Sequence, residues 1–551
     1  MGRPTAAAAL ASLERLGRQY GPGFGARKLA LLARLARDPL PTAGGVRRLH
    51  EILLFLEAYP DDRRVRAQAR RMLRAFRARP DLRRHRALLA GTGIAGTDTP
   101  YRFFWPSARW ISRTWPGALS IERGDPEHER AILDALPLLL LPAQAEYLRT
   151  IPDPEIDVLD ALRPRTVTDA DWFIGLVADL PGDDATREAF FDRIDPPFVL
   201  RAGRATPERT TTRFATSPAY YQHSSPRGAR PSLRVEALRK PQRISSLGRA
   251  DAESLIHLSR VCMATRERDL AAFQFANPRD AFLVDDGEGL AFAFVGMLAE
   301  RRALLPAIYG GLTLQNGVPI GYVQLDILGR HAELSFNQFE TFRHGGAARV
   351  FARFVAATRH VFGCDSFSIE PYQLGDGNDE GIESGAWWFY RHFGFRPRAK
   401  SARDALRLEN ARLARRSAHR SSARTLRLLA RSYLFYSLVP RRPARMPRTA
   451  ALLAGANAAM RRFAQREAAE RAAAATAAAR SWLRAGRMRR PEERMLLQWA
   501  GLVLALAQAG RWSLRDRRAL LSVIRAKAGV SERNYLKLLL RHGRLRRALD
   551  C

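Results

Sequence analysis

Cysteine is nearly absent: Cys262, Cys364 and Cys551 are the only three in 551 residues, far apart and without a Cys-x-x-Cys pair. That excludes a disulfide framework and a cysteine zinc site, and it fits a reducing compartment. Lysine is as scarce, with five residues against 86 arginines. Long apolar runs are missing too. The most apolar late stretch, Leu496 to Ala507, is interrupted by Gln498 and falls short of the ~20 residues that span a bilayer, so no transmembrane segment is expected. Met1 to Leu16 lacks the charged start, apolar stretch and cleavage site of a secretory signal, and a cytoplasmic location is the expectation. No His-Glu-x-x-His, paired Cys-x-x-Cys or Gly-Lys-Ser/Thr motif occurs. Metallopeptidase, zinc-finger and nucleotide-hydrolase chemistry therefore has no support, and no metal is expected.

What the chain has in excess is positive charge. The 91 basic residues face 55 acidic ones, a formal +36. Abundant alanine and arginine in place of lysine look like a GC-rich coding bias, but such a bias does not explain the acidic deficit. An excess of this kind draws a protein toward polyanions such as nucleic acid or acidic lipid. With 46% hydrophobic and 26% charged residues, the chain is close to the globular average and most of it can fold.

Three regions and a linker are expected. Residues 1–205 read as a mainly helical region, with apolar positions at three- and four-residue spacing between prolines at 39–41, 60 and 80. Trp105, Trp110 and Trp115 stand among Tyr101, Phe103 and Phe104, suited to stacking on bases or to supporting a core. Residues 206–240, rich in Thr, Ser, Pro and Arg, read as a linker. Residues 399–551 read as a basic helical region. Within it and its approach, Arg396 to Arg448 carry 15 Arg and Lys400 against only Asp404 and Glu409, a clustering that points to RNA or DNA.

Residues 241–398 have a different pattern. An amphipathic helix is expected over Ala252 to Arg266, then a strand over Leu290 to Met297. A hairpin joins Gly311–Leu314 to Pro319–Leu328 through Asn316-Gly317, a pair suited to a two-residue turn. A strand from Glu333 to Phe339 leads into Arg343-His344-Gly345-Gly346-Ala347-Ala348, and a helix follows with Val350, Phe351, Phe354 and Val355 on one face. A short strand, Ser366 to Glu370, precedes a second helix containing Ala386 to Tyr390 and ending near Gly394.

This arrangement resembles the GNAT N-acyltransferases. Arg343, Gly346 and Ala348 match the family's R/Q-x-x-G-x-G/A signature between a strand and a helix, and Ala386-x-x-x-Tyr390-x-x-x-Gly394-Phe395 is similar to its later helix-to-strand segment. The resemblance implies an α/β fold: a GNAT-like acyl-CoA-binding mixed sheet with flanking helices, between two mainly α-helical regions. It implies acetyl transfer from acetyl-CoA to an amine whose identity stays open. A glycine turn lets backbone amides approach a pyrophosphate, and the helix behind it aims unpaired N–H groups and its positive dipole end at the charge. By resemblance, Arg343, His344, Gly345, Gly346, Ala347 and Ala348 would hold the coenzyme A pyrophosphate, and the edge of the preceding strand would pair with the pantetheine arm. Arg349 or Arg353 could reach another phosphate. Tyr390 matches the tyrosine that protonates the departing thiolate, and Glu333 is the expected base, with Glu340 and Glu370 as competitors. Two departures stand out: Glu383 occupies the place of a usual asparagine, with Asn378 five residues earlier, and Phe339 to Phe342 lack the proline common there. Two other functions stay open, a nucleic-acid-binding or scaffold protein with a degenerate GNAT fold and an RNA-directed acyltransferase.

Overall fold

Short β-branched and aromatic runs in residues 99–200 form a small antiparallel sheet of β1 (Thr99–Tyr101), β2 (Leu119–Ile121) and β3 (Phe198–Leu200), in the order β1-β3-β2. The computed structural model describes residues 5–150, 157–215, 218–225, 230–343, 346–416, 418–440, 444, 446–447 and 449–549, except the side chains of 147, 149 and 150. Its centre is a nine-stranded sheet built from β4 (Arg243–Ser246), β5 (Ala276–Gly287), β6 (Leu290–Met297), β7 (Ala307–Gln315), β8 (Val318–Leu328), β9 (His331–Gln338), β10 (Ser366–Ile369), β11 (Arg396–Pro397) and β12 (Leu434–Ser437). The order is β11-β12-β10-β9-β8-β7-β6-β5-β4. Only β9 and β10 pair in parallel; every other neighbour is antiparallel. The chain is thus mixed α/β, a large mixed sheet with many helices.

Antiparallel neighbours need only tight turns, and Asn316-Gly317 supplies one with φ of 51° and 80°. The Asn316 side chain donates to Ala58 O and Tyr220 O, both at 2.9 Å, so the turn also pins the amino-terminal helices to the sheet. The parallel pair needs a crossover, and the helix Ala347–Phe362 provides it. Its buried face sets Phe351 and Phe354 against Phe336 of β9, with ring centroids 5.3 and 6.1 Å apart. The helix Arg249–Ala264 covers the opposite face over β6 and β7, where Leu255, Leu258 and Cys262 meet Ala293, Val295, Leu312 and Leu314.

Several expected boundaries shift. Residues 6–94 share the core of the central sheet, whereas residues 103–200 enclose a second core around Phe103, Trp105 and Phe173. Trp110 and Trp115 meet edge to face at 5.1 Å and flank His257. These tryptophans are used for packing rather than presented as a stacking platform, because the small sheet and its helices need a core of their own. Where it is described, the expected linker forms a strap held at 209–213: Thr210 Oγ1 bonds His50 Nε2 at 2.9 Å, Arg209 pairs with Glu51 at 2.6 Å, and Arg213 with Glu57 at 2.5 Å. It has no apolar period because polar pairs with the amino-terminal helices anchor it. The central sheet also passes the expected boundary at Arg398. β12, from within the expected helical region, inserts between β10 and β11 by pairing Ser366–Ile369 with Leu434–Ser437.

Candidate active site in the cleft between the parallel strands

β9 and β10 pair only over His331–Glu333 and Ser366–Ser368. β10 then ends, because Pro371 begins a helical turn (Pro371–Leu374) and has no N–H with which to continue a ladder. β9 runs on to Gln338. The divergence opens a cleft of about 540 Å³ whose lining includes Tyr322, Asn337, Gln338, Arg343, Glu380 and Tyr390.

The turn expected to hold a pyrophosphate lies at one end of this cleft. Gly346 has φ 86° and ψ 36° as the residue that starts the helix Ala347–Phe362, a left-handed conformation that glycine adopts without steric cost. The first amides of that 16-residue helix have no intrahelical acceptor. Ala347 lines the cleft, and Ala348 packs against the core. His344 and Gly345 lie outside the described residues. Arg343 donates from Nε to Gln338 O at 3.2 Å, and its guanidinium pairs with Glu380. Arg268 binds the same carboxylate at 2.5 Å. Burial alone would raise the Glu380 pKa, but the two guanidinium groups outweigh it and hold the carboxyl below its ordinary range.

Two arginines considered for phosphate are placed differently. Arg349 pairs with Glu288 at 2.5 Å. Arg353 is 1% exposed and bound bidentately to Asp286, so it cannot reach a phosphate in the cleft. Its position on the helix, seven residues after Gly346, turns it into the core instead.

Tyr390 comes from the helix Ala386–His392 and is 2% exposed. Its hydroxyl donates to Phe336 O on β9 at 3.4 Å, long for such a bond, and its ring meets Phe351 at 5.3 Å. Burial pushes its pKa above the ordinary phenol value, so the proton stays on. The residue is both core and cleft.

Glu333 lies on β9 outside the residues that line the cleft. Burial, then the neighbouring Glu370 and Asp326 carboxylates, push its pKa up to about 7. Glu370 stands immediately before the Pro371 turn, and Glu340 lines the cleft but is largely exposed and paired with Arg47 at 3.1 Å. Asn378 caps the helix Asp379–Glu383 through Gly381 N and lines the cleft, while Glu383 is exposed. The sequence reading missed Arg268, Tyr322, Asn337 and Gln338. The signal for two of them, Tyr322 and Asn337, was the alternation of polar residues at 322, 324, 326 and at 333, 335, 337.

Among the described residues no group of three or more His, Cys, Asp or Glu is placed to hold a metal ion, and no helix is long and apolar enough to cross a membrane. Compared with known proteins, the chain matches no family model, no curated protein and no solved structure.

Proposed function

We propose that the central sheet and its crossover helix form a GNAT-like acyl-CoA-binding unit, and that the protein is an N-acyltransferase moving acetyl from acetyl-CoA to an amine. The observation that carries this reading is the divergence of the parallel strands β9 and β10, with a glycine-started helix at one end of the cleft and a buried tyrosine hydroxyl in its wall. Beyond Glu333, β9 has β8 on one side and the cleft on the other, an edge suited to a pantetheine arm. The amides at the start of the helix Ala347–Phe362 would hold the pyrophosphate.

In the reaction, the neutral amine attacks the thioester carbonyl, a C–N bond forms and the C–S bond breaks. Tyr390 gives its proton to the departing sulfur. Glu333, its pKa raised to about 7, takes the amine proton through a chain of waters, since it stands outside the cleft lining. Calorimetry of the whole protein with acetyl-CoA tests the reading. Gly346→Val puts a branched side chain in a left-handed position where the pyrophosphate must approach and is expected to weaken acetyl-CoA binding at least ~10-fold. Unchanged affinity in a variant with the parent's melting temperature would remove the placement.

A second reading has its own observation. On and beside the helix Lys400–Arg415, Arg403, Arg415, Arg416, Arg424 and Arg431 are exposed and, among the described residues, have no acidic partner. Arg441, Arg442, Arg445 and Arg448 lie outside the described residues. This patch suits RNA or DNA, bound through phosphates with little sequence preference. Replacing Arg415, Arg416, Arg420 and Arg424 with glutamine should make the slope of log affinity against log salt shallower by about two or more. A variant with the parent's slope would place nucleic acid elsewhere, and no binding at low salt would end this reading.

A further inference from the structure

Alternate residues of β8 and β9 reach the face of the sheet opposite the helix Ala347–Phe362. β8 places Tyr322, Gln324 and Asp326 there, and β9 places Asn337, Ser335 and Glu333, paired as Tyr322 with Asn337, Gln324 with Ser335 and Asp326 with Glu333. All six are partly exposed, while Val323, Leu325 and Leu334 between them are buried. On this face the helix Arg249–Ala264 covers apolar β6 and β7 and extends only to the edge of Tyr322. What remains is a two-strand polar strip that starts in the cleft at Tyr322 and Asn337. Over four residues it runs about 13 Å to Asp326 and Glu333.

The two ends of the strip ask for the same chemistry. In the cleft, the buried side-chain oxygens of Asn337 and Gln338 have no hydrogen-bond partner among the described residues. Gln338 is 6% exposed, and its Nε2 already donates to Phe342 O at 2.8 Å, which leaves its oxygen as an acceptor waiting for a donor. At the far end, Asp326 stands opposite Glu333 and accepts a hydrogen bond from Gln324 Nε2 at 3.0 Å; the Asp326 and Glu370 carboxylates push the Glu333 pKa up, Asp326 pushes that of Glu370 up, and among the described residues none of the three has an ion-pair partner. In a chain with 86 arginines that is a local exception. The three carboxylates do not converge as a metal cage does. Tyr433 stands beside them, and Arg398 lies over the Phe435 ring at 4.4 Å.

We propose that the acceptor is a linear aliphatic polyamine: one nitrogen sits in the cleft near Tyr390, and a second ammonium lies along the strip on Asp326 and Glu370. This rests on the acyltransferase reading. Donors are supplied to the unpaired oxygens at one end, and positive charge to carboxylates that have no cationic partner among the described residues at the other. The reacting nitrogen attacks as the free amine and its surplus proton passes through water to Glu333; the electron pair of the C–S bond leaves on sulfur with the Tyr390 proton, which solvent then replaces, and the distal ammonium stays protonated throughout.

The test measures thiol release by the whole protein from acetyl-CoA with spermidine or with butylamine, alongside calorimetry for acetyl-CoA and for spermidine alone. Spermidine is expected to exceed butylamine at least tenfold in kcat/KM. Asp326→Asn with Glu370→Gln should raise the spermidine KM at least tenfold at the parent's melting temperature, and Glu370→Gln alone serves if the double variant does not fold. Equal use of the two amines, or an unchanged KM, overturns the proposal. Acetyl-CoA binding without turnover of either amine overturns the acceptor and leaves the acyltransferase reading standing. If acetyl-CoA fails to bind, that reading falls, and spermidine binding alone then decides the strip: carboxylate-dependent binding supports it, and none overturns it.

Discussion

Arg353→Ala is expected to destabilise the protein by about 3–5 kcal/mol, read as a lowered midpoint in urea unfolding. Arg353 is 1% exposed on the crossover helix, and its Nε and Nη2 reach the two oxygens of Asp286 at 2.7 and 2.6 Å. Its remaining donors reach Glu236 O at 2.9 Å and Arg239 O at 3.1 Å, in the strap before β4. Truncation leaves the Asp286 carboxylate buried without its partner and the two carbonyls without their donor. Most of the loss comes from that stranded charge rather than from the net worth of the pair. Arg353→Met combined with Asp286→Leu should therefore recover a large part of the loss. If Arg353→Ala unfolds within about 1 kcal/mol of the parent, water reaches the pair and the site is not the dry junction described.

Tyr390→Phe is expected to lower turnover about 100-fold, with acetyl-CoA affinity within about twofold. The variant removes one oxygen whose protein contact is the 3.4 Å bond to Phe336 O, so the packing of the ring on Phe351 and Phe395 survives. A hydroxyl that only filled the core would show in the melting temperature and not in kcat. A proton donor to the leaving thiolate would show in kcat and little else. Turnover equal to the parent's with any accepted amine would return Tyr390 to a packing role.

Much of the central unit could be read from local pattern. The strand Leu290–Met297 is unbroken and apolar because it is buried on both faces of the sheet. Asn316-Gly317 marks a turn that requires two positive φ angles. Gly346 and the face of Val350, Phe351 and Phe354 mark a helix start and its core side. Each depends on residues within one or two turns of chain, which is where periodicity and turn chemistry act.

The rest depends on residues distant in sequence. β12 is four residues in an arginine-rich stretch, too short for an alternation to stand out, and it is a strand because β10 and β11 offer edges on either side. The strap was unreadable because its partners, Glu51 and Glu57, are about 150 residues away. The cleft exists only because two parallel strands part where Pro371 ends one of them. By itself, the sequence determined the strand and helix run from 290 to 369, the helix that contains Ala386 to Tyr390, the glycine turn and the excess of positive charge, but not the short helices Pro371–Leu374 and Asp379–Glu383 between them. Only the tertiary structure decided that Arg353 is a core ion pair, that Arg343 is held by Glu380, and that Glu333 stands outside the cleft lining, because burial and charge partners are set by which segments meet.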